Sequence, residues 1–307
     1  MRVVVLGAGS LGSVVGAVLA EAGHDVVLVT RNRAHVDAVN AHGLHLVDDD
    51  AARAVAVAAS TGVGERTADL VIVLVKSFDT ADAVAAAEPV IGPGTLVLTL
   101  QNGVGCEEII AGRIGAERVV AGRTFVGGRI VEPGVVEYGT AGRQTTIGEL
   151  DGARTGRIEA LAMAFEAAGL ATEVSSDIRV TMWEKLFVNV ATGAWSALTG
   201  LPYGELSVHP DVEPMAIATV AEAIEVARAT GVPVTTTDPA VPWRRAWEGL
   251  PHAFEASMLQ SVRKRSRTEV DVIHGAVCRA GHAAGVPTPV NDTLWAAMRG
   301  LERSFHP

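Results

Sequence analysis

An open α/β sheet followed by an all-helical second half is the fold class this chain predicts, and three observations predict it. The first is a β-branched run, a glycine turn and a helical pattern in immediate succession over residues 2–23. The second is a set of further short apolar runs reaching residue 105. The third is a change of period beyond residue 177, where apolar residues recur mostly at helical spacing. At 307 residues the chain is long enough for two cores. We place the division at 1–175 and 176–307, where Ser175, Ser176 and Asp177 offer helix caps.

The elements follow in order. "RVVVL" (2–6) suits a strand buried on both faces. "GAGSLG" (7–12) then leads into "SVVGAVLAEAG", a helix that stops at Gly23, and "DVVLVTR" supplies a second strand. Strand, glycine turn, helix and strand within about thirty residues are the signature of a Rossmann-type dinucleotide-binding domain. Gly7 permits the tight turn, Gly9 lets the backbone approach a pyrophosphate, and Gly12 lets helix and strand pack closely. The N–H groups around Ser10 and Leu11 face the phosphate oxygens. A carboxylate at the end of the second strand would grip the ribose of NAD. The chain has Thr30, Arg31, Asn32 and Arg33 there, which favours NADP(H). Arg33 reads as simple surface and is assigned no site.

"ADLVIVLVK" (68–76) places Lys76 at a strand's C-terminal end, where ligands of open sheets gather. "GTLVLTLQNGVG" (94–105) ends at Gln101, Asn102 and Gly103. Asn-Gly alone means a tight turn; beside a nicotinamide site, Asn102 has a second use as a hydrogen-bond partner for ribose or substrate. After "GELDG", an Ala-rich helix over 153–168 and a short strand, "GLATEVS", close the first half.

In the second half, "WEKLFVNVATGAWSALTG" (183–200) reads as a helix with Lys185 and Asn189 four residues apart on one side. That lysine is either surface or the working end of an active site. "SMLQSVRKRSRTEVD" (257–271) carries Arg263, Lys264, Arg265 and Arg267 in a polar, loop-like stretch. Glu269 begins the next helix, and by spacing alone it is an acidic first-turn residue favoured by the helix dipole.

Composition narrows the function. Hydrophobic residues at 49% and charged residues at 20% mark a globular chain, and a net charge of −10 argues against nucleic acid and anionic membranes as partners. The N-terminal apolar run resembles a secretory leader only until its glycines interrupt it, and no stretch reaches the ~18 apolar residues of a membrane span. Cys106 and Cys278 have no metal spacing and suit a reduced, cytoplasmic setting. The nine histidines, His24 to His306, suggest neither a metal site nor a triad. An apolar helical face serves equally as core or as the interface of a homodimer.

These motifs, in this order and across essentially the whole chain, resemble those of the ketopantoate reductases (2-dehydropantoate 2-reductases): "GAGSLG", Arg31, "VK" at 75–76, "QNG" at 101–103, "WEKLFVN" and "SMLQSVRKRSRTEVD". The resemblance implies NADPH-dependent reduction of ketopantoate to (R)-pantoate, on the way to pantothenate. It implies Lys185 as catalytic lysine and Glu269 as its acidic partner. Asn189 and Ser257 then contact the substrate, Asn102 lies between cofactor and substrate, and Arg31 and Lys76 serve the cofactor. A lysine ammonium suits this chemistry, because negative charge builds on the carbonyl oxygen and a general acid relieves it. Four positions depart from the family pattern. Gly193 and Tyr203 stand where asparagines are frequent, Ser261 where an aspartate is, and Phe254 where a polar residue is. Those departures keep open a different 2-oxo acid, or an imine, as the substrate; a non-catalytic NADP(H)-binding regulator is the reading from another class.

Overall fold

Val3, Val4, Val5 and Leu6 alternate between two apolar layers, and that alternation organises the first part of the molecule. Val3 and Val5 face a core shared with Val14, Val15 and Leu28, while Val4 and Leu6 face one shared with Val71, Val73 and Ile110. A strand covered on both faces needs no polar side, which is why it reads as an unbroken apolar run. The computed structural model describes residues 1–48, 51–139 and 143–305. It separates into two units, Met1–Gln101 with Cys106–Ile178, and Asn102–Gly105 with the chain from Arg179 onward.

In the first unit Arg2–Leu6 pairs in parallel with Asp25–Val29 and Leu70–Val73. The eight-stranded sheet runs Thr172–Val174, Thr145–Glu149, Val119–Thr124, Leu96–Thr99, Leu70–Val73, Arg2–Leu6, Asp25–Val29, Ala58–Ser60. Only the pair Val119–Thr124 and Thr145–Glu149 is antiparallel. This is the mixed, mostly parallel Rossmann-like sheet that the N-terminal pattern predicts.

A second sheet of four strands, in the order Ala51–Val55, Leu44–Asp48, Val135–Gly139, Gly127–Glu132, was not expected. Leu44, Leu46 and Val136 of this sheet join the core of the Ser10–Glu21 helix, and the Ile130 N–H donates to Ser10 Oγ at 3.2 Å. That helix therefore lies between two sheets, and every residue from Gly12 to Leu19 is buried. A helix covered all round carries no polar stripe.

The second unit is helical: Ile178–Thr199, Tyr203–Leu206, Val212–Ala229, Ala240–Arg245, Ser257–Arg263, His274–Ala284 and Pro289–Arg303. Trp183, Phe187, Val190, Val220, Trp243 and Met298 are among the side chains of its core. Two carboxylates tie its segments. Glu184 accepts from the backbone N–H groups of Thr235 and Thr236, at 2.8 and 2.9 Å, and from both hydroxyls. Burial pushes its pKa up, and these hydrogen bonds overcome that and leave it lowered. Glu222 accepts from the Val290 and Asn291 N–H groups, so it satisfies the start of the Pro289–Arg303 helix.

One expectation is corrected here. Glu269 does not begin a helix; it precedes a single 3₁₀ turn, Val270–Val272, and the α-helix starts only at His274. Side chains brace that turn in addition to its backbone bonds, Val272 N–H to the Glu269 carbonyl and Ile273 N–H to the Val270 carbonyl. Asp271 accepts from Trp295 Nε1 at 2.9 Å, Arg299 at 2.8 Å and Arg267 at 3.0 Å. The basic stretch is corrected too, since Arg263 ends the Ser257–Arg263 helix rather than lying in a loop.

Candidate functional site

The glycine turn is built as close approach requires. Gly7 has φ +96°, and a Cβ there would fall 2.4 Å from the Val75 nitrogen. A Cβ on Gly12 would fall 2.3 Å from the Gly7 carbonyl oxygen, so helix and turn could not approach with a side chain between them. The Gly7 and Ala8 N–H groups both donate to the Val29 carbonyl at 2.9 Å, which locks the turn to the neighbouring strand. A Cβ on Gly9 would meet nothing within 4 Å. The helix starting at Ser10 has no side-chain cap and no acidic residue in its first turn, leaving the Ser10 and Leu11 end electropositive. This cradle fits a dinucleotide pyrophosphate.

The other candidates for the nucleotide side, Arg31 and Lys76, lie at the same ends of the strands. Arg31 follows the Asp25–Val29 strand, is 87% exposed, and pairs with Asp79 at 2.6 Å. Lys76 is exposed and immediately precedes the 3₁₀ turn Ser77–Asp79 that supplies that aspartate. An exposed pair of this kind is worth about 0–1 kcal/mol, so it does not hold Arg31 away from a phosphate. Gln101, read in the sequence only as a strand end, pins the segment. Its Nε2 donates to the Val75 carbonyl and to Thr80 Oγ1, each at 2.8 Å. A cavity of about 490 Å³ lined by Met1, Asp69, Thr95 and Arg118 sits at the opposite, N-terminal ends of the strands and takes no part in this arrangement.

The substrate-side candidates lie in the helical unit. Lys185 and Asn189 are half-buried on the Ile178–Thr199 helix, between the buried Trp183, Leu186, Phe187 and Val190. Ser257 is the exposed first residue of its helix, and Met258 beside it covers Gly193, where a Cβ would lie 3.5 Å from the Met258 methyl. Glu269 is 9% exposed. Asn102 stands on the short segment that belongs with this unit. The next residue, Gly103, has φ +86° and would place a Cβ 2.2 Å from the Val272 carbonyl, and the Val104 N–H donates to that same oxygen at 3.2 Å. Asn102 and Glu269 are thus carried on two segments that dock on each other. Asp271, which the sequence reading passed over, braces that turn. Its i,i+4 pairing with Arg267 is a local signal, but its partners Trp295 and Arg299 lie a full helix away in sequence.

Residues 3–152 match the family described as ketopantoate reductase PanE/ApbA, and residues 177–302 match its C-terminal region. The chain belongs to the ketopantoate reductase family. It is 38% identical to the 2-dehydropantoate 2-reductase of Halobacterium salinarum, over 99% of both chains, and 33% identical to that of Pyrococcus horikoshii, over 98% of both. Among solved structures, the PanE/ApbA family ketopantoate reductase from Ralstonia eutropha has a TM-score of 0.91 at 36% identity, with all of both chains covered. A D-mandelate dehydrogenase solved with NADH and anilino(oxo)acetate has the same TM-score at 24% identity over 99% of both chains, a likeness of fold. The ketopantoate reductase family is one of NADPH-dependent oxidoreductases, and this chain is an oxidoreductase of that family.

Within that family the departures have definite structural settings. Ser261 Oγ donates back to the Ser257 carbonyl at 3.1 Å, an ordinary helical back-bond. Tyr203 and Phe254 are neighbours, with ring centroids 5.3 Å apart. Of the histidines, His35 is a buried core residue whose Nδ1 accepts from the Gly134 N–H at 3.1 Å, and burial lowers its pKa. His306 lies outside the described residues. Among the described residues, no helix is long and apolar enough to cross a membrane.

Proposed function

We propose that this chain reduces the 2-keto group of ketopantoate to (R)-pantoate with NADPH, in the cytoplasm, as a step toward pantothenate. The observation that carries this reading is the half-buried pair Lys185 and Asn189, one helical turn apart, in a chain of this family. When bound, NADPH supplies the hydride for the keto carbon. The Lys185 ammonium stabilises the charge that grows on the carbonyl oxygen and donates the proton that neutralises it. Glu269, held at the docked turn, keeps that ammonium charged and oriented. Asn189 and Ser257, both neutral, fix the substrate carboxylate, and Asn102 bridges substrate and ribose. Gly7, Gly9, Ser10, Leu11 and Gly12 cradle the pyrophosphate, while Arg31 and Lys76 serve the phosphate and ribose.

The deciding assay is ketopantoate-dependent consumption of NADPH by the purified protein. Absence of turnover in a folded, NADPH-binding sample would sink the reading. The cofactor assignment has its own test. Replacing Arg31 with alanine removes a charge-assisted contact to the 2′-phosphate, so NADPH affinity should fall about ten- to a hundredfold while NADH affinity is unchanged. Equal loss for both cofactors, measured by titration, would remove Arg31 from the phosphate site. A second reading keeps the reaction and changes the acid. The contact between Tyr203 and Phe254 favours it.

A further inference from the structure

Three of the four positions at which this chain leaves its family's polar pattern have apolar surroundings: Gly193 lies under Met258, and Tyr203 packs on Phe254. Gly193 lies one helical turn after Asn189 and offers no side chain; Met258, next to Ser257, covers the space in front of it. Thr192, beside Gly193, donates to the Val188 carbonyl at 3.0 Å, which uses its only hydrogen. The Tyr203 hydroxyl, 3.0 Å from Thr192 Oγ1, is therefore the donor of that pair. Burial pushes its pKa up, and the residue is 8% exposed.

The Tyr203 backbone N–H donates to the Phe254 carbonyl at 2.9 Å, and the two rings pack at a tilted 48°. Trp247 closes edge-on against Tyr203, with centroids 6.5 Å apart, and against Trp243 at 4.5 Å. Phe254, three residues before Ser257, keeps 37% of its surface exposed. Around Asn189 and Ser257 in the chain thus stand a glycine one turn on, a methionine next door and, three residues back, an aromatic ring with no polar atom, packed on a tyrosine whose proton is already committed.

We propose that this site reads the carboxylate and the keto group of its substrate but not a side-chain hydroxyl. Acids of the 2-oxo class with a bulky, wholly apolar side chain are then turned over as well as ketopantoate or better. The inference rests on the reading of Lys185, Asn189 and Ser257 given above. The reaction balances in the same way. The keto carbon gains a hydride from NADPH, its oxygen gains the Lys185 proton, and a 2-hydroxy acid and NADP⁺ leave. A site built to hydrogen-bond a hydroxyl rejects the analogue that lacks it by up to ~10⁴–10⁵-fold, because its own buried polar groups are left unpaired. An apolar wall has no such groups to strand, and it disfavours an added hydroxyl by no more than ~10²-fold.

Trimethylpyruvate is ketopantoate with the hydroxyl replaced by hydrogen, so the pair isolates that one group. The ratio of kcat/KM for trimethylpyruvate to that for ketopantoate, with NADPH, is expected to be one or more, and up to ~10². A ratio below one overturns the inference and leaves the reductase reading standing; no turnover of either acid removes both. The variant Phe254→Asn, at a partly exposed position, should move the ratio toward ketopantoate by about tenfold, the worth of one hydrogen bond. Phe254→Leu should leave the preference as it is. An unmoved ratio in Phe254→Asn, or an equal shift in Phe254→Leu, overturns the assignment of the wall.

Discussion

Replacing Lys185 with alanine is expected to lower kcat for 2-oxo acid reduction by ~10²–10⁴-fold, the usual contribution of a positioned proton donor. The fold should survive the change. Alanine has the highest helix propensity, and the neighbours that anchor this helix, Trp183, Leu186 and Phe187, are unaltered and buried. NADPH affinity should also survive, because the glycine turn, Arg31 and Lys76 belong to the other unit. Lys185→Arg separates charge from geometry. It keeps a cation, but its planar guanidinium is not an ammonium on the same stem and does not give up its proton. The arginine variant should therefore bind substrate better than the alanine variant and still turn over slowly. Wild-type kcat in Lys185→Ala, with the cofactor bound normally, would assign the proton to another group.

The second large effect concerns stability and acid. His274 is fully buried, and its Nδ1 lies 2.9 Å from Asn291 Oδ1. Asn291 is oriented by its own amide, which donates to the Thr219 carbonyl at 3.0 Å and to Glu222 at 2.8 Å. Its oxygen therefore faces the ring, Nδ1 carries the proton, and Nε2 is left as an acceptor without a partner among the described residues. Burial lowers the pKa from 6.5 to about 4, against a smaller opposing effect of the Asn291 bond. The unfolded chain thus takes up a proton at higher pH than the folded one. Stability is fully present above pH 6.5, declines as the pH falls below that value, and levels off below about 4. The loss amounts to about 3 kcal/mol over that window.

All five tryptophans, Trp183, Trp195, Trp243, Trp247 and Trp295, lie in the helical unit, so their fluorescence follows its unfolding specifically. In urea titrations the midpoint should fall between pH 7 and pH 5 in the natural protein and hold nearly constant in His274→Gln, whose amide is neutral throughout. Glu184 and Asp271, both with lowered pKa, lose their contribution as the pH falls through their folded values, below the ordinary carboxylate range, and so act at more acid pH. An equal slope in both proteins would assign the acid sensitivity elsewhere.

The parts of this molecule that were legible in its sequence share one property: their signals are local. The strand at 2–6, its glycine turn and the helix after it announce themselves because burial on both faces and a positive φ each constrain residue type directly. The helix bearing Lys185 and Asn189 is legible for the same reason, through its period. The four-stranded sheet was not. Ala51–Val55 and Gly127–Glu132 are mostly exposed and carry little apolar alternation, and their pairing is decided by distant partners. Glu269 misled for a related reason, since the turn after it is fixed by Trp295, Arg299 and Arg267 rather than by its own spacing. Gly193, Tyr203 and Phe254 could be noticed singly as departures, but only the folded chain shows Met258 over Gly193 and Tyr203 packed on Phe254.

The short segment Asn102–Gly105 has a consequence for how the protein is made. It leaves the sheet after Gln101, docks with the helical unit through Val272, and returns at Cys106. During synthesis from the N-terminus, Asn102 emerges from the ribosome long before Val272 is translated. The nucleotide half can complete its sheet while this tetrapeptide has nothing to lie against. Closing so long a loop is slow, and its ordering waits on the last helices. A nascent chain of this protein therefore acquires its glycine turn first and an ordered Asn102 last, and a product truncated before residue 272 would leave that tetrapeptide without its dock.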